Sequence, residues 1–371
     1  MPTLPDISIE FKDNPSPAFV VSWGGEGRSE LSPVTRYDAF EQEAADLYHY
    51  IATHLGQAAL SMEALRSDPI AESWISISNK ILGSILHPSR NTIRSAIEDV
   101  LQSIERRPIY AQIDARLAHF PWELLRLRDD TLLGDEIVFF SDFQSGFDGH
   151  SFHTQASRTS NARILIKAIE ESDIPYAANE RRNLTLLASN AMEVQFAPEI
   201  DDIDGRKDFF QWIGAAGYDG LHFYCHCRYP PEKFEVEIEV SNNATLTLCD
   251  LRADLMLDGS AFAVLNVCEA GPSPENRGGS FVEYLALEQG IGAIVATLAP
   301  ARADDAAHFA NEFYVSWLGR VGSIKTARMG EALFRVRQEL LNDNLLTAHL
   351  YRIFGQADIY LEDLESKEKA A

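Results

Sequence analysis

The chain has 371 residues, 46% of them hydrophobic, and a formal net charge of −24. This length and apolar content suit two sizeable folded cores and exclude a disordered chain. Because the acidic excess is spread along the chain, it argues against nucleic acid or an anionic membrane surface as a partner. Four cysteines are too few for a disulfide scaffold. The N-terminus has no signal-like pattern and no apolar run reaches a membrane span, so we expect a cytoplasmic protein.

The first part of the chain alternates strand-like and helix-like patterns. Apolar spacing predicts strands at Ile7–Phe11, Ala18–Trp23, Ile109–Ile113 and Ile137–Phe140, and helices within Phe40–Leu65, Ser73–Leu86 and Ile93–Ile104. The glycine-rich segment Trp23–Gly27 has no Lys-Ser/Thr after it and carries an acid, so it is predicted to be a turn rather than a phosphate loop. We therefore predict a mixed α/β N-terminal subdomain over residues 1–150.

A polar segment marks the strongest domain boundary. Between Ser141 and Asn161 the apolar residues thin out, and Ser, Gly, His, Asp and Thr dominate. We place a linker at residues 151–162 and a second domain at 163–371. Asp148 and Arg158 are accessible candidates for self-processing in this segment, and an ordinary flexible linker is the alternative.

After the linker, strands and helices alternate to Leu361. This pattern predicts an α/β fold with a mostly parallel sheet covered by helices on both faces. The predicted elements are strands at Arg163–Ala168, Leu221–His226, Lys233–Val240, Thr245–Leu248 and Ala261–Cys268, and helices at Leu251–Leu257 and Asp304–Leu318. The spacing of four between Phe309, Phe313 and Trp317 predicts core packing rather than an aromatic binding surface.

Two of these strands each end on a reactive side chain, His226 in one and Cys268 in the other. The carboxyl ends of neighbouring parallel strands open on the same crevice, so the two side chains are expected to lie close together. A cysteine attacks as its thiolate, and an adjacent imidazole can take the thiol proton. The pair therefore predicts the Cys-His dyad of a cysteine protease.

A metal site is the alternative interpretation of the same strand. Imidazole and thiolate are zinc ligands, and four of them are close in sequence: His222, Cys225, His226 and Cys227. On an extended strand the two histidines face one way and the two cysteines the other, so four ligands cannot converge on one ion. We therefore predict no metal.

Five segments resemble the CHAT family of caspase-like peptidases, and the likeness runs from about Ile109 to Leu361. In chain order they are Phe120-Pro121-Trp122-Glu123-Leu124-Leu125, the run from Asp219 to His226, the run from Val264 to Gly271, the run from Gly290 to Thr297, and Tyr351-Arg352-Ile353-Phe354-Gly355-Gln356-Ala357. The resemblance implies a caspase-like sheet with a pseudo-caspase-like N-terminal subdomain and no cofactor.

The resemblance also implies roles for individual residues. His226 would be the general base, Cys268 the nucleophile, and the backbone N–H groups of Cys227 and Cys268 the oxyanion donors in peptide-bond hydrolysis. Family members usually have glycine where this chain has Cys227, which favours a catalytically silent interaction module as the alternative. The implied partners are a protein substrate cut at specific sites and a protein activator or regulator, in a bacterial defence or cell-death system.

By the same resemblance, the loops Glu269–Gly279 and Ala299–Asp305 form the pocket for the residue before the scissile bond. These loops contain both acids and bases: Glu269, Glu275, Asp304, Asp305, Arg277 and Arg302. An acidic lining would favour Lys or Arg in the substrate, and an arginine lining would favour Asp or Glu. The sequence leaves this choice open.

Overall fold

In a computed structural model of the chain, the residues described are 6–12, 18–23, 28–33, 41–43, 45–49, 74, 76–80, 108–128, 131–142, 164–171, 173–187, 192–198, 200, 203–215, 217–228, 236–241, 244–255, 257, 261–268, 270–272, 279–318 and 328–357. The predicted helix Ile93–Ile104 and the linker at 151–162 lie outside these residues. So do Asp148, Arg158, Glu269, Glu275 and Arg277.

Sixteen strands are numbered here in chain order. They are β1 (Ile7–Lys12), β2 (Ala18–Trp23), β3 (Arg28–Pro33), β4 (Ile109–Asp114), β5 (Arg126–Arg128), β6 (Thr131–Leu132), β7 (Ile137–Asp142), β8 (Ile164–Glu170), β9 (Met192–Phe196), β10 (Gly220–Tyr224), β11 (His226–Arg228), β12 (Glu237–Ser241), β13 (Ala244–Thr247), β14 (Phe262–Leu265), β15 (Ala293–Thr297) and β16 (Tyr351–Gly355). Their bounds agree with most of the predicted strands, and β3, β5, β6, β9, β15 and β16 are not among the strands predicted.

An 11-stranded sheet holds most of these strands, in the order β3-β2-β1-β4-β7-β16-β15-β14-β10-β8-β9. Within the described strands of this sheet, neighbours are antiparallel only at β1–β2, β2–β3 and β15–β16. The prediction of a mostly parallel α/β sheet is therefore confirmed. Strands from both sides of the predicted linker belong to this one sheet, joined where β16 pairs with β7, and the division into domains stays a prediction.

The helices are numbered in chain order from Ala177 onward. They are α1 (Ala177–Leu187), α2 (Ile203–Gly214), α3 (Leu248–Asp254), α4 (Phe281–Glu283, continued by a π-helix over Tyr284–Glu288), α5 (Ala303–Leu318) and α6 (Met329–Asn342). Short 3-10 turns cover Ala115–Leu117, Trp122–Leu124, Leu133–Asp135 and Thr347–Leu350. Helical residues at 41–43, 45–49, 74 and 76–80 fall within two of the predicted N-terminal helices.

The helix predicted at Leu251–Leu257 begins three residues earlier than expected. Thr247 caps it, because its side-chain oxygen accepts from the Asp250 N–H at 3.2 Å and the Asp250 carboxylate accepts from the Thr247 N–H at 2.9 Å. This reciprocal pair satisfies two N-terminal donors and fixes the start of α3. The capping box therefore shortens the preceding strand to end at Thr247.

Helices cover both faces of the sheet, as predicted. Successive residues on a strand point to opposite faces, so Phe262 and Val264 of β14 join one core cluster, while Ala263 and Leu265 join the other. The first cluster contains residues of α5 and α6, and the second contains residues of α2, α3 and the π-helix. Phe309, Phe313 and Trp317 are each 0% exposed, which confirms their prediction as core residues.

A buried ionic cluster joins the 3-10 turn at Trp122–Leu124 to β16, the last strand in the sequence. Arg352 of β16 donates to both carboxylate oxygens of Glu123, at 2.7 Å for Oε1, and also to the carbonyl oxygens of Ala118 and Phe120. Arg337 of α6 lies 3.6 Å from the same carboxylate and donates to the Tyr351 carbonyl. Glu123, Arg337 and Arg352 are all 0% exposed, so one carboxylate neutralises two buried guanidinium groups.

Among the described helices, none combines the length and the apolar character that crossing a bilayer requires.

Candidate active site

His226 reaches the surface because the chain leaves the main sheet just before it. The predicted strand Leu221–His226 divides at Cys225: β10 ends at Tyr224, and His226 begins β11, which pairs with β12 in a separate three-stranded sheet. His226 lies opposite Glu239 in this pairing. The side chain of Cys225 is buried and that of His226 is exposed, so the division places the imidazole at the edge of the fold.

Glu171, which follows β8 directly, fixes the backbone at this point. Its N–H donates to the carbonyl oxygen of Tyr224 at 3.0 Å, and its carboxylate accepts the N–H of His226 at 3.3 Å. Glu171 is 5% exposed. Burial raises the pKa of its carboxyl group, and the hydrogen bond from His226 partly opposes that rise. The backbone of His226 is therefore held by a buried acid from the adjacent strand.

Cys268 follows β14 by three residues and is half-buried. Its thiol donates to the carbonyl oxygen of Ala301 at 3.7 Å. Further along the chain, the N–H of Gly271 donates to the Thr297 carbonyl at 3.1 Å. A Cβ at position 271 would lie 2.7 Å from that carbonyl oxygen, so only glycine allows the backbone here to approach the end of β15 this closely.

His226 and Cys268 both line one cleft at the carboxyl ends of β10 and β14, which are adjacent and parallel. The described residues enclose a volume of about 110 Å³ there. Apolar walls come from Ile174, Val267, Ala301, Ala303 and Ala306, and polar groups from Tyr224, Asn266, Thr297 and Tyr351. The arrangement brings residues His226 and Cys268 to the lining of the same small opening.

Two tyrosines of the cleft are held by hydrogen bonds. The Tyr224 hydroxyl lies 3.0 Å from the carbonyl oxygens of Pro175 and Ala303 and donates to one or the other. The Tyr351 hydroxyl donates to Asn266 Oδ1. Burial and then the negative charge of Glu180 raise the pKa of both hydroxyls, and a charge on Cys268 acts in the same direction. Both hydroxyls are therefore neutral donors close to the thiol.

A buried polar network lies beneath the cleft. Glu180 of α1 accepts from His222 Nε2 at 2.7 Å and from Asn266 Nδ2 at 3.1 Å and 3.0 Å, one distance for each carboxylate oxygen. His222 Nδ1 lies 3.1 Å from the Tyr314 hydroxyl. The exposed fractions are 2% for Glu180, 1% for His222 and 4% for Asn266. His222, considered above as a metal ligand, thus has hydrogen-bond partners on both ring nitrogens.

The remaining predicted site residues take different positions. The Cys227 side chain is 7% exposed and belongs to the second core cluster, so the side chain that replaces glycine packs away from the cleft. Arg302 pairs with Asp304 at 2.6 Å and lies 3.9 Å from Asp305. Within the described ranges, no group of three or more His, Cys, Asp or Glu side chains could hold a metal ion.

Several residues of the site were missed from the sequence. Asn266 was within reach, because a lone amide two residues before Cys268 in an apolar strand lies on the same face as the thiol. Tyr351 lies in a segment that resembles the family, but nothing in that segment indicated its contact. Glu171 and Glu180 gave no signal, because their partners are distant in sequence.

Residues 88–354 match the family model of the CHAT domain, and no curated protein matches the chain. Among solved structures, the Saccharomyces cerevisiae separase–securin complex matches with a TM-score of 0.44 and 11% identity, over 88% of this chain and 23% of the matched chain. The complex of the Porphyromonas gingivalis RgpB pro- and mature domains matches with a TM-score of 0.43 and 13% identity, over 74% of this chain and 70% of the matched chain.

The Arg-specific cysteine proteinase gingipain R, RgpB, matches with a TM-score of 0.41 and 11% identity, over 80% of this chain and 76% of that one. This chain therefore spans less than a quarter of the length of the first of these structures. At TM-scores below 0.5 these likenesses carry no argument about this chain.

Proposed function

This chain belongs to the CHAT domain family, and on that premise we propose that it is a cysteine endopeptidase with Cys268 as nucleophile and His226 as general base. The observation that carries the proposal is that both side chains line one cleft, at the carboxyl ends of adjacent parallel strands. Clefts in this position are where open α/β sheets bind their ligands. The proposed substrates are specific protein partners.

In the proposed reaction, the His226 imidazole takes the thiol proton of Cys268, and the thiolate attacks the carbonyl carbon of the scissile peptide bond. The carbon–nitrogen bond breaks as the imidazolium returns this proton to the leaving amine, which leaves the acyl group on sulfur as a thioester. Water then attacks the thioester while His226 takes its proton. Transfer of that proton to sulfur releases the acid and restores the thiol.

The developing oxyanion needs donors that are already in place, and we propose the backbone N–H groups of Cys227 and Cys268. Two features support this choice. The hydrogen bond to Glu171 holds the backbone just before Cys227, and the hydrogen bond from Gly271 to the Thr297 carbonyl holds the backbone three residues after Cys268. Because the Cys227 side chain is buried in the second core cluster, its replacement of glycine leaves room for a substrate carbonyl.

We propose that the substrate carries Lys or Arg before the scissile bond. Of the two arginines predicted in the pocket loops, Arg302 already pairs with the carboxylates of Asp304 and Asp305. A guanidinium group that is already paired with carboxylates binds an acidic substrate side chain more weakly than an unpaired guanidinium group does. Two carboxylates beside one guanidinium leave this group with a net negative charge, which favours a basic substrate side chain.

The test is cleavage of a diverse peptide library, read by mass spectrometry, with the wild-type chain beside Cys268→Ala and His226→Ala. Cys249→Ala is the matched control, because Cys249 is an exposed cysteine that does not line the cleft. We expect cleavage by the wild type and by Cys249→Ala, and a loss of about a hundredfold or more in the two dyad variants. Cleavage that survives Cys268→Ala would refute the proposed nucleophile.

The alternative is a catalytically silent interaction module, for which the cysteine at position 227 is the supporting feature. Labelling by an electrophilic probe separates the two functions without a substrate. Selective labelling of Cys268 that depends on His226 supports the enzyme, because a paired imidazole increases the thiolate fraction. Labelling of Cys268 no faster than that of Cys249 supports the module.

We further propose that a protein activator or regulator controls the enzyme, in a cytoplasmic system for bacterial defence or cell death. The support is the family resemblance, together with the damage that unregulated proteolysis would cause in a cell. Cleavage by the chain alone can be compared with cleavage after addition of the proteins encoded beside it. Full activity of the isolated chain would argue against an activator.

A further inference from the structure

The reaction proposed above leaves one buried carboxylate beneath the cleft unused. Glu180 makes three side-chain contacts of hydrogen-bond length, one to His222 and two to Asn266. A buried charge persists only where hydrogen-bond partners replace the water it has lost. His222 lies on β10 and Asn266 directly follows β14, and both chain segments lead to the dyad, which points to a role in the site.

The spacing of these partners places them under the dyad. His222 precedes His226 by four residues, and Asn266 precedes Cys268 by two. In the chain, each partner is therefore only a few residues from the dyad residue that follows it. The strands are neighbours, and the N–H of Asn266 donates to the carbonyl oxygen of Phe223 at 2.9 Å. One carboxylate thus bridges both strands just before the reactive side chains.

Further partners from two other elements, α5 and β16, complete the network. The Asn266 amide also donates to the carbonyl oxygen of Ala306 in α5 at 3.0 Å, and its oxygen accepts from the Tyr351 hydroxyl of β16. The Tyr314 hydroxyl of α5 lies beside the second nitrogen of His222. A buried network whose members are all satisfied is rigid, because each alternative arrangement would leave a polar group unpaired in a low dielectric.

We infer that Glu180 is a positioning residue for the dyad: through His222 and Asn266 it fixes β10 and β14 relative to each other, so that the imidazole of His226 and the thiol of Cys268 meet in the cleft. This inference rests on the proposed peptidase function. It adds a requirement that lies outside the cleft and involves no contact with the substrate. Removal of the Glu180 carboxylate, or of the Tyr351 hydroxyl that donates to Asn266, should weaken the interaction between the imidazole and the thiol.

Because Glu180 carries a charge, the inference can be tested by the direction in which its removal shifts the pH dependence of the Cys268 thiol. The titratable groups that face Glu180 or interact with its charge are His222, Tyr224, Tyr314, Tyr351 and Glu170, which is paired with Arg181. Loss of a nearby negative charge would, on its own, make the Cys268 thiolate easier to form. Loss of the imidazole partner makes it harder to form. The two effects therefore move the pH dependence of the thiol in opposite directions.

The experiment measures the alkylation rate of Cys268 by iodoacetamide as a function of pH, by mass spectrometry of the full chain, with Cys249 as internal reference. The variants are Glu180→Gln, which removes the charge, and Tyr351→Phe, which removes only the hydroxyl that holds Asn266. For both we expect a midpoint shifted to higher pH and alkylation at pH 7 slowed by about tenfold, since the thiolate fraction falls toward that of an unassisted thiol.

Asp135→Asn is the matched control. Asp135 is a buried carboxylate that accepts from a buried histidine, His349, at 2.8 Å, but it does not line the cleft or contact the dyad strands. The control is expected to lose stability while the midpoint of Cys268 alkylation stays at the wild-type value. A shift of the same size in the control would mean that general loosening of the fold explains the effect, which overturns the inference.

Three further results overturn the inference. The first is a wild-type midpoint in both variants, and the second is a shift to lower pH in Glu180→Gln, which would show an effect of charge alone. If Glu180→Gln does not fold, Tyr351→Phe decides the question by the same criterion. The third is alkylation of wild-type Cys268 no faster than that of Cys249, which removes the proposed function itself and is therefore distinct from failure of the positioning role.

Discussion

The buried carboxylate of Glu123 should be worth far more to stability than a surface carboxylate in the same kind of pair. Glu123→Gln keeps the shape of the side chain but removes its charge and one acceptor. Arg352 then loses one of its two charge-assisted hydrogen bonds, each of which contributes about 1.5–3 kcal/mol. The guanidinium groups of Arg352 and Arg337 also lose their shared counter-charge at 0% exposure. Together these losses predict a fall of about 3–5 kcal/mol in the free energy of unfolding.

The structure supplies a matched control for this prediction. Glu288 also accepts a bidentate pair from an arginine, Arg252, with distances of 2.9 Å and 2.6 Å, but the two side chains are 40% and 46% exposed. Exposed pairs contribute about 0–1 kcal/mol, so Glu288→Gln should change stability by less than about 1 kcal/mol. The two substitutions are chemically identical, and the sites differ in burial and in the second arginine, Arg337, that lies beside Glu123.

Urea denaturation of the full chain, followed by circular dichroism, measures both effects. The comparison requires that the slope of the free energy against urea concentration stays the same, because a changed slope would indicate a different unfolding transition. Equal losses in the two variants, or a loss below about 1 kcal/mol for Glu123→Gln, would show that the buried ionic cluster does not stabilise the fold as reasoned here.

Three other substitutions have outcomes that follow from the structure. Thr247→Ala removes the cap of α3 and should cost about 1 kcal/mol in urea denaturation; an unchanged midpoint would contradict the capping role. Gly271→Ala places a Cβ 2.7 Å from the Thr297 carbonyl oxygen. Alkylation of Cys268 should therefore slow severalfold, while the circular dichroism spectrum stays native. An alkylation rate equal to that of the wild type would refute the need for glycine at this position. Burial raises the pKa of Glu171 above its ordinary value of 4.5, so this carboxyl group holds its proton more tightly in the folded chain than in the unfolded chain. The stability of the wild type therefore falls as pH rises through the raised pKa. Glu171→Gln should remove this fall, and an equal pH dependence in both proteins would contradict it.

The sequence predicted the positions of the strands better than it predicted which strands pair with each other. The strands β1, β2, β4, β7 and β8 follow apolar runs, whose burial is a local property of the sequence. The strand β3 was missed because Arg28–Pro33 mixes charged and polar residues with proline, and its pairing with β2 supplies the order that its composition does not indicate. The strand order was not predicted, because pairing depends on partners far away in the chain.

The candidate site was predictable only where its chemistry lies in single residues. His226 and Cys268 were identified from their side chains and strand positions, and the dyad stays a prediction until reactivity is measured. Glu180 could not be found, because its partners are 42 and 86 residues away and a helical glutamate normally faces water. The choice between an acidic and an arginine lining of the pocket stays a prediction, because Arg302 pairs with two carboxylates and Arg277 lies outside the described residues.

The position of β16 has a consequence for how the molecule is made. This strand is the last of the sixteen in sequence, yet it lies between β7 and β15 and so joins the N-terminal strands to those that carry the dyad. During synthesis on the ribosome, the two halves of the sheet must wait for Tyr351–Gly355 before they can unite. The same segment supplies Tyr351 to the floor of the cleft. A nascent or prematurely terminated chain that lacks it therefore has an incomplete cleft.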